Sequence, residues 1–172
     1  MSVKTILTEP NILLRQVSES VEKVGDEERK LMDDMLDTMY AAPGIGLAAI
    51  QIGIPKRIIV MDTSRDKNIK EPMYLVNPVI KNKNSEKTTY EEGCLSVPDQ
   101  FAEIERPNMC EVEYLDYLGN KQLLKANGLL ATCIQHEIDH LEGILFIDYL
   151  SKLKKSMIIK KLSKTKYNRI VV

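Results

Sequence analysis

The chain is poor in the residues that most often bind metals or cross-link polypeptides: two histidines and three cysteines occur among 172 residues. An odd number of cysteines without a regular spacing argues against a secreted disulfide scaffold. No apolar run approaches the roughly 20 residues that a membrane-spanning helix needs, and the first residues lack the long apolar segment of a secretory signal. These absences predict a cytoplasmic protein that does not enter a membrane.

The remaining composition is that of an ordinary soluble, globular protein, with 44% hydrophobic and 28% charged residues. At 172 residues the chain is long enough to bury a core of its own. No internal repeat, low-complexity tract or linker divides it. We therefore expect a single domain over residues 1–172, and we expect it to be a monomer.

Charge is distributed unevenly along the chain. Residues 151–172 contain seven lysines and one arginine with no acidic residue, whereas the preceding 150 residues contain 16 basic and 25 acidic residues. A basic C-terminal helix or tail beside an acidic body indicates a docking surface for something anionic, such as RNA or a membrane. A solvated helix face explains the same charges equally well.

Hydrophobic periodicity predicts helices near both ends of the chain and strands between them. The first helix has Asp26 as its N-cap and ends at Pro43-Gly44. Predicted strands cover residues 57–61, 74–80 with an edge or bulge at Pro78, and 109–117, which a turn at Gly119-Asn120 connects to 121–126. Residues 62–72 and 82–89 are expected to be polar connections.

Two further helices complete the predicted fold. One begins near Asn127-Gly128 and ends at Gly143, and the last begins near Ser151. With strands in the middle and helices at the ends, we predict an α+β fold in which largely antiparallel strands pack around the central helix.

Both histidines lie in the segment Gln135-His136-Glu137-Ile138-Asp139-His140. Residues four apart share one face of a helix, so His136 and His140 can bind one metal ion. The adjacent Glu137 could accept a proton from water on that metal, and this spacing is the signature of a metallohydrolase helix. A chance spacing on an exposed helix is the less favoured explanation.

A catalytic zinc usually has three protein ligands, and no further histidine is present. Cys133 shares the helix face with His136, but three ligands from two turns of one helix would crowd a tetrahedral ion. Cys94 lies in a segment bounded by Gly93 and Pro98, and Cys110 falls in a strand pattern typical of the core. The residues alone favour Cys94 over Cys133, with an acidic ligand as the third choice.

One more segment, Gly44-Ile45-Gly46-Leu47-Ala48-Ala49-Ile50-Gln51, is dense in small residues. Such residues let the backbone approach a ligand closely. The segment is not a nucleotide-binding loop, because it lacks the third glycine and any following Lys-Ser or Lys-Thr pair. Gln51 ends an apolar run, so its amide needs a buried partner or a substrate.

Taken in order, three segments resemble the signature motifs of the peptide deformylase family: residues 44–51, Glu92-Gly93-Cys94-Leu95-Ser96, and residues 135–140. The resemblance extends over nearly the whole chain and includes residues 10–15 and 145–146. It implies removal of the formyl group from the N-terminal formyl-methionine of nascent polypeptides, with release of formate.

The resemblance also assigns roles to individual residues. It implies Cys94, His136 and His140 as the metal ligands, Glu137 as general base and then acid, and the Gln51 amide and the Leu95 backbone N–H as donors to the oxyanion. Glu92 is a candidate for orienting a ligand histidine, and a solvated glutamate is its alternative because Glu91 is adjacent. The methionine pocket is implied to contain Ile45, Gly46, Leu129 and Cys133, with Thr132 at its rim.

The sequence only partly determines the identity of the metal. A Cys-His-His set with an open position suits zinc, whereas the family resemblance implies Fe²⁺ as the working ion, with Zn²⁺, Ni²⁺ or Co²⁺ able to substitute. Phe101 stands where several bacterial relatives have arginine, so substrate preferences beyond methionine are left open.

Two other functions were considered. A metallopeptidase would share the His-Glu-x-x-His helix, but the third downstream ligand it needs is absent and the Cys94 segment would be unexplained. A ribosome-docking protein with a structural metal would explain the basic tail, but it would need a fourth protein ligand and no Glu137. Docking on ribosomal RNA through the tail is compatible with the enzyme.

Overall fold

The structure, a computed structural model, describes residues 2–66 and 68–164. Its three α-helices and seven strands follow the order α1 (Asp26–Ala41), β1 (Gly46–Ala48), β2 (Ile58–Met61), β3 (Met73–Lys83), β4 (Lys87–Cys94), β5 (Val97–Pro107), β6 (Met109–Leu115), β7 (Lys121–Asn127), α2 (Gly128–Leu141) and α3 (Lys152–Lys164). Short 3-10 helices cover Ile12–Arg15, Ala49–Ile52 and Phe146–Tyr149.

The strands form two separate antiparallel sheets. Five strands pair in the order β1-β2-β3-β6-β7, and β4 pairs with β5 as a two-stranded hairpin. The register of β3 against β6 shifts between Val76 and Val79, where Asn77 has a φ of 50°. The bulge predicted at Pro78 is therefore present.

The five-stranded sheet lies between two helices, and β2 shows how. Its residues alternate between the two faces, as the period of two along a strand requires. Ile58 and Val60 join a cluster with the methionines of α1, whereas Ile59 and Met61 join a cluster with α2. Because both faces are covered, all four residues of β2 are buried. A third cluster joins the β4–β5 hairpin to α3 and the segment before it.

The predicted α+β class, with antiparallel strands around a central helix and a helix near each end, is confirmed. The bounds of α2 also agree with the prediction, since Asn127 is its N-cap and Gly143 follows its end with a φ of +72°. No helix among the described residues is both long enough and apolar enough to cross a bilayer.

Several sequence-based details were wrong. The N-cap of α1 is Gly25, whose backbone N–H donates to Glu28 Oε2 at 3.0 Å, so Asp26 is the first residue of the helix. The predicted connection over residues 82–89 is mostly strand, because β3 of the five-stranded sheet and β4 of the hairpin extend into it from either side. Strands β1, β4 and β5 were not predicted. The last eight residues of the basic tail, 165–172, lie outside the described residues.

Candidate functional site

Helix α2 presents both histidines on its buried face. His136 and His140 are one turn apart, their ring centroids are 5.1 Å apart, and His140 is 1% exposed. The helix passes beneath β1 and β2 because its apolar residues, Ala131 and Ile134 among them, pack in the cluster on that side of the sheet. The local periodicity that places these side chains in the core therefore also places the histidines.

Cys94 reaches the two histidines from the opposite side. It ends β4 at the tip of the hairpin, where its backbone pairs with Val97 across the turn. Its Sγ lies 3.2 Å from His140 Nε2, and one ligand atom from each of Cys94, His136 and His140 lies within 4.8 Å of the others. Cys133 does not join this group, since its Sγ–H points to the Ile45 carbonyl oxygen at 3.8 Å.

These three side chains fit a transition-metal ion. Ligands about 2.3 Å (sulfur) and about 2.0 Å (nitrogen) from a tetrahedral ion are separated by about 3.5 Å, close to the distance between Cys94 Sγ and His140 Nε2. Thiolate and imidazole are soft and borderline donors that suit Zn²⁺ or Fe²⁺. Within the described residues the group has three members, which leaves a tetrahedral ion one position for a water molecule or a substrate.

Glu92 fixes the orientation of His136. Its Oε2 lies 3.0 Å from His136 Nδ1, which leaves Nε2 of that ring as the ligand atom. Arg106 holds the same carboxylate with Nε at 2.6 Å and Nη2 at 3.1 Å. Burial alone would raise the pKa of Glu92, but the hydrogen bonds to His136 and Arg106 lower it. Glu92 is buried and Glu91 is exposed, so Glu92 is not a solvated glutamate.

Arg106 also connects this pair to α2. Its Nη1 donates to Asp139 Oδ2 at 2.8 Å, and Tyr149 donates its hydroxyl to the same oxygen. Neither Arg106 nor Asp139 was selected from the sequence as a site residue. Asp139 lies inside the histidine motif, which was a usable signal, whereas Arg106 is one charged residue in a strand that was not predicted.

The pKa values of the two imidazoles are shifted in opposite directions. Burial lowers the pKa of His136, but hydrogen bonds with Cys94 and Glu92 outweigh burial and raise it well above its ordinary value. Burial and the neighbouring His136 charge lower the pKa of His140 well below its ordinary value. Two cations do not coexist at this separation in a buried site, so at most one of the pair is protonated.

Glu137 is buried beside the histidines, and burial raises its pKa to about 7. Its Oε2 has no hydrogen-bond partner in the described residues. Its Oε1 lies against Gly46 of β1: a Cβ atom added at Gly46 would stand 2.5 Å from that oxygen. The glycine therefore makes room for the carboxylate at the wall of the cavity.

The Gln51 amide is 1% exposed and is held on both sides. Its Oε1 accepts the backbone N–H of Ala48 at 2.9 Å, and its Nε2 donates to Ser96 Oγ at 3.0 Å and points to Cys94 Sγ at 3.6 Å. This network orients Nε2 toward Cys94. Leu95 lies in the turn between Cys94 and Ser96. Ser96 belongs to the same motif as Cys94, and its hydrogen bond to the glutamine was not predicted.

A cavity of about 360 Å³ opens onto Cys94, His136 and Glu137. The residues implied for the methionine pocket line it: Ile45, Gly46, Leu129 and Cys133. Ile45 and Leu129 are half-exposed at its mouth, whereas Cys133 is buried and burial raises its pKa well above the ordinary value. Thr132 also lines the cavity, with a buried Oγ1 that has no hydrogen-bond partner among the described residues.

Comparison with known proteins agrees with this geometry. The polypeptide deformylase family model matches residues 3–156. A peptide deformylase of Pelagibacter ubique is 84% identical over the full length of both chains, and one of Rhizobium meliloti is 53% identical over 98% of this chain and 97% of its own. The crystal structure of peptide deformylase from Ehrlichia chaffeensis in complex with actinonin superposes with a TM-score of 0.93 at 47% identity, covering 97% of this chain and 99% of that one.

The matches extend along the whole chain and include the segments that bring the thiol, the two imidazoles and Glu137 together. They favour the deformylase over the metallopeptidase and the docking protein with a structural metal, because the family model and these relatives cover nearly the whole chain. The chain belongs to the polypeptide deformylase family, and it is a hydrolase that removes the formyl group from formyl-methionyl peptides.

Proposed function

We propose that this chain deformylates nascent polypeptides at a metal ion held by Cys94, His136 and His140. The observation that carries this assignment is the convergence of one thiol and two imidazoles within 4.8 Å of one another, with Cys94 and His136 lining an open cavity. When bound, the metal lowers the pKa of a coordinated water and so supplies a nucleophile near neutral pH. Both imidazoles would have to be neutral to hold the ion, so His136, whose pKa is raised in the metal-free site, would give up a proton on binding it.

Glu137 serves as the general base and then as the general acid. In the metal-free site burial raises its pKa to about 7, and a cation beside it lowers that value, so the carboxylate is ionised at neutral pH. It then accepts the proton from the attacking water and later delivers it to the departing amine. Because its Oε2 has no hydrogen-bond partner among the described residues, this oxygen is available for the exchange.

Attack on the formyl carbon places negative charge on the formyl oxygen. Two donors are assigned to this charge, the Gln51 side-chain amide and the backbone N–H of Leu95. One such donor is typically worth about 3 kcal/mol of transition-state stabilisation. The hydrogen bonds from Ala48 and to Ser96 hold Gln51 in place before substrate arrives, which spares the reaction the cost of ordering that side chain.

The substrate's methionine side chain is assigned to the part of the cavity formed by Ile45, Gly46, Leu129 and Cys133. Burial keeps the Cys133 thiol neutral, since it raises its pKa, and a neutral thiol is a small apolar wall. The arrangement therefore combines an apolar pocket with the polar groups at Glu137 and Gln51, as small-molecule sites generally do.

Fe²⁺ is the proposed working ion, and Zn²⁺, Ni²⁺ and Co²⁺ are proposed substitutes. The Cys-His-His donor set supports any of these ions. Reconstitution of metal-free protein with each ion, under anaerobic conditions for Fe²⁺, would rank them by turnover. We expect Fe²⁺ to give faster formate release than Zn²⁺, and the reverse order would contradict this choice.

Formate release from a short formyl-methionyl peptide tests the whole assignment. Turnover should be lost in Cys94→Ala together with tight metal binding. Glu137→Ala should keep the metal and lose turnover, because it removes the base but no ligand. Metal content measured on the same samples separates the two effects, and an active Glu137→Ala protein would rule out the assigned base.

The basic C-terminal segment is proposed to bring the enzyme to ribosomes in the cytoplasm. Support comes from α3, whose described residues include six lysines and no acidic side chain. Binding to ribosomal RNA through these charges would weaken steeply as salt is raised. Sedimentation with ribosomes at increasing salt tests the idea, and an affinity that does not respond to salt would contradict it.

A further inference from the structure

A second concave surface adjoins the catalytic cavity. This groove, of about 740 Å³, lies between strand β5 and helix α3. Gln100 and Phe101 line both the groove and the catalytic cavity, so a chain leaving the cavity along β5 enters the groove. The mechanism described above makes no use of this surface.

The floor of the groove is apolar and unusually exposed. The Phe101 side chain is 65% exposed and that of Met157 is 61% exposed. Ala102, Leu150 and Ile158 extend the floor between them. Exposed apolar side chains gathered in a concavity, unlike single ones scattered over a surface, indicate a binding site.

The rim of the groove is basic. Four lysines of α3 line it, Lys154, Lys160, Lys161 and Lys164, against one acidic residue, Glu103. An apolar floor with a cationic rim complements a segment that carries both apolar and acidic side chains. A nucleic acid bound through its phosphates would use the lysines of α3 and leave the apolar floor without a partner.

The groove also follows a free strand edge. In the part of the chain that the structure describes, β5 pairs only with β4. Successive residues of a strand point to opposite faces, yet Gln100, Phe101, Ala102 and Glu103 all line the groove, so it runs along the edge of the strand. A strand edge offers backbone donors and acceptors to an extended peptide of any sequence.

We propose that this groove binds the downstream part of the substrate polypeptide and favours apolar and acidic residues there. Phe101 pairs with Gly93, the residue before Cys94, and Glu103, which also lines the groove, pairs with Glu91. The groove therefore begins beside the Cys94 thiol and extends away from it along the hairpin. At about 3.3 Å per residue, the first three residues of an extended chain cover roughly the distance from Cys94 to Glu91, so the far end of the groove receives the nascent chain from roughly its fourth residue onward. The proposal rests on the deformylase activity.

The test compares formyl-methionyl peptides that are identical over their first three residues. One stops there, and three longer ones continue with leucine and glutamate, with glycine and serine, or with leucine and lysine. The wild-type enzyme should show the highest kcat/KM on the leucine-glutamate peptide. The short peptide reports the chemistry alone, so failure of the deformylase assignment is distinguishable from failure of the groove.

Charge reversal at the rim provides the matched variants. Lys154→Glu combined with Lys160→Glu should leave kcat/KM on the short peptide unchanged. It should lower kcat/KM on the leucine-glutamate peptide about fivefold, as expected for two exposed charge pairs. The preference should then shift to the leucine-lysine peptide. Lys23→Glu combined with Lys152→Glu changes the net charge equally at exposed positions outside the groove and should retain the wild-type preference.

Three outcomes would overturn the proposal. Equal kcat/KM on the short and the longer peptides would mean that nothing downstream is bound. An equal loss of the preference in both double variants would reduce it to an effect of overall charge. Loss of affinity for an RNA oligonucleotide in the groove variant, with its peptide preference retained, would assign the surface to RNA.

Discussion

Gly46 illustrates how one residue can constrain the chemistry without taking part in it. It lies in β1 with its Cα against the Glu137 carboxylate, where a Cβ atom would come within 2.5 Å of Oε1 and 2.9 Å of Cδ. Atoms at the end of a flexible side chain can move away at little cost in stability. Such a movement would take the carboxylate away from the position in which Glu137 is proposed to exchange a proton.

Gly46→Ala is therefore expected to lower activity much more than stability. A displacement of about 1 Å in a catalytic group costs about 100-fold in rate, and a decrease of that order in kcat/KM is predicted with little change in Tm. Gly25→Ala is the control, because the nearest atom to its added Cβ is Glu28 Oε2 at an ordinary 3.5 Å. Full activity in Gly46→Ala would show that the carboxylate position is not critical.

The site residues divide into those that local sequence can reveal and those that it cannot. His136, Glu137 and His140 are predictable because helical periodicity alone places ligands four apart on one face. Arg106 and its partner Asp139 are 33 positions apart and meet only because the hairpin folds onto α2. No local pattern encodes that meeting, so the arginine that holds Glu92 could be found only in the folded structure.

At the scale of elements, Arg106 joins β5 to β4 and to α2 through a buried charge network. Its side chain and that of Glu92 are 4% and 5% exposed. Arg106→Met leaves the Glu92 carboxylate buried without its guanidinium partner, and loss of one partner of a buried pair typically costs about 3–5 kcal/mol. Urea unfolding of the metal-free protein should show a decrease of this size.

Arg57→Met is the control for that measurement. Arg57 and Glu142 have the same 2.6 Å separation as the Arg106 Nε pair, but Glu142 is 46% exposed. Solvent screening limits such pairs to about 0–1 kcal/mol. Equal losses in the two variants would show that burial of the Arg106 network does not set its contribution.

Helix α1 is tied to the N-terminal arm by a carboxylate with a strongly lowered pKa. Burial would raise the pKa of Asp34, but hydrogen bonds from Lys30, the Ser2 backbone and Lys4 outweigh it and lower the pKa from 3.8 to about 2. The folded chain therefore keeps Asp34 ionised where the unfolded chain protonates it. This contribution to stability is fully present above pH 3.8 and is lost as the pH falls toward 2.

Asp34→Asn should remove that pH dependence. The lowered pKa corresponds to at most about 2 kcal/mol of unfolding free energy at neutral pH. Unfolding free energies measured from pH 5 down to pH 2.5 should fall less steeply in the variant than in the wild type. Glu22→Gln, at an exposed position, should keep the wild-type slope. Identical slopes for Asp34→Asn and wild type would contradict the contribution assigned to Asp34.

The elements that sequence analysis missed share a physical cause. β5 carries Asp99, Gln100 and Glu103 on a strand that is partly exposed, and these residue types are poor strand formers on their own. Pairing with β4 and packing against α2 and α3 override that local preference. β1 is three residues long and contains glycine and alanine, so its strand state depends on β2 alone.

At the scale of the whole molecule, the site lies where two separately packed units meet. The five-stranded sheet, α1 and α2 share two clusters of buried side chains, and the β4–β5 hairpin and α3 share a third. The hairpin supplies Cys94, and α2 supplies both histidines. The site residues of each unit could be identified from the sequence. The separation of the hairpin from the main sheet follows from strand pairing between distant residues and was not predictable.

In the proposed assignment the metal is a cross-link between the hairpin and α2, and its removal is expected to change the dynamics of the hairpin. A ligand that binds only the folded state stabilises it by RT ln(1 + [L]/Kd), or about 2.7 kcal/mol at 100 times Kd. Removing the metal should therefore speed amide hydrogen exchange most in residues 87–107. Exchange in β2, β3 and β6 should change least, because side chains on both faces of the sheet hold these strands together.

Hydrogen exchange on metal-loaded and metal-free samples measures this difference directly. Cys94→Ala serves as the matched control, because it removes the hairpin's ligand and leaves both histidines in place. Its exchange should resemble that of the metal-free wild type whether or not metal is added, since two ligands on one helix no longer connect the two units. Uniform acceleration across both sheets on metal removal would mean instead that hairpin and sheet unfold as one cooperative unit, with Arg106, Glu92 and Asp139 sufficient to couple them.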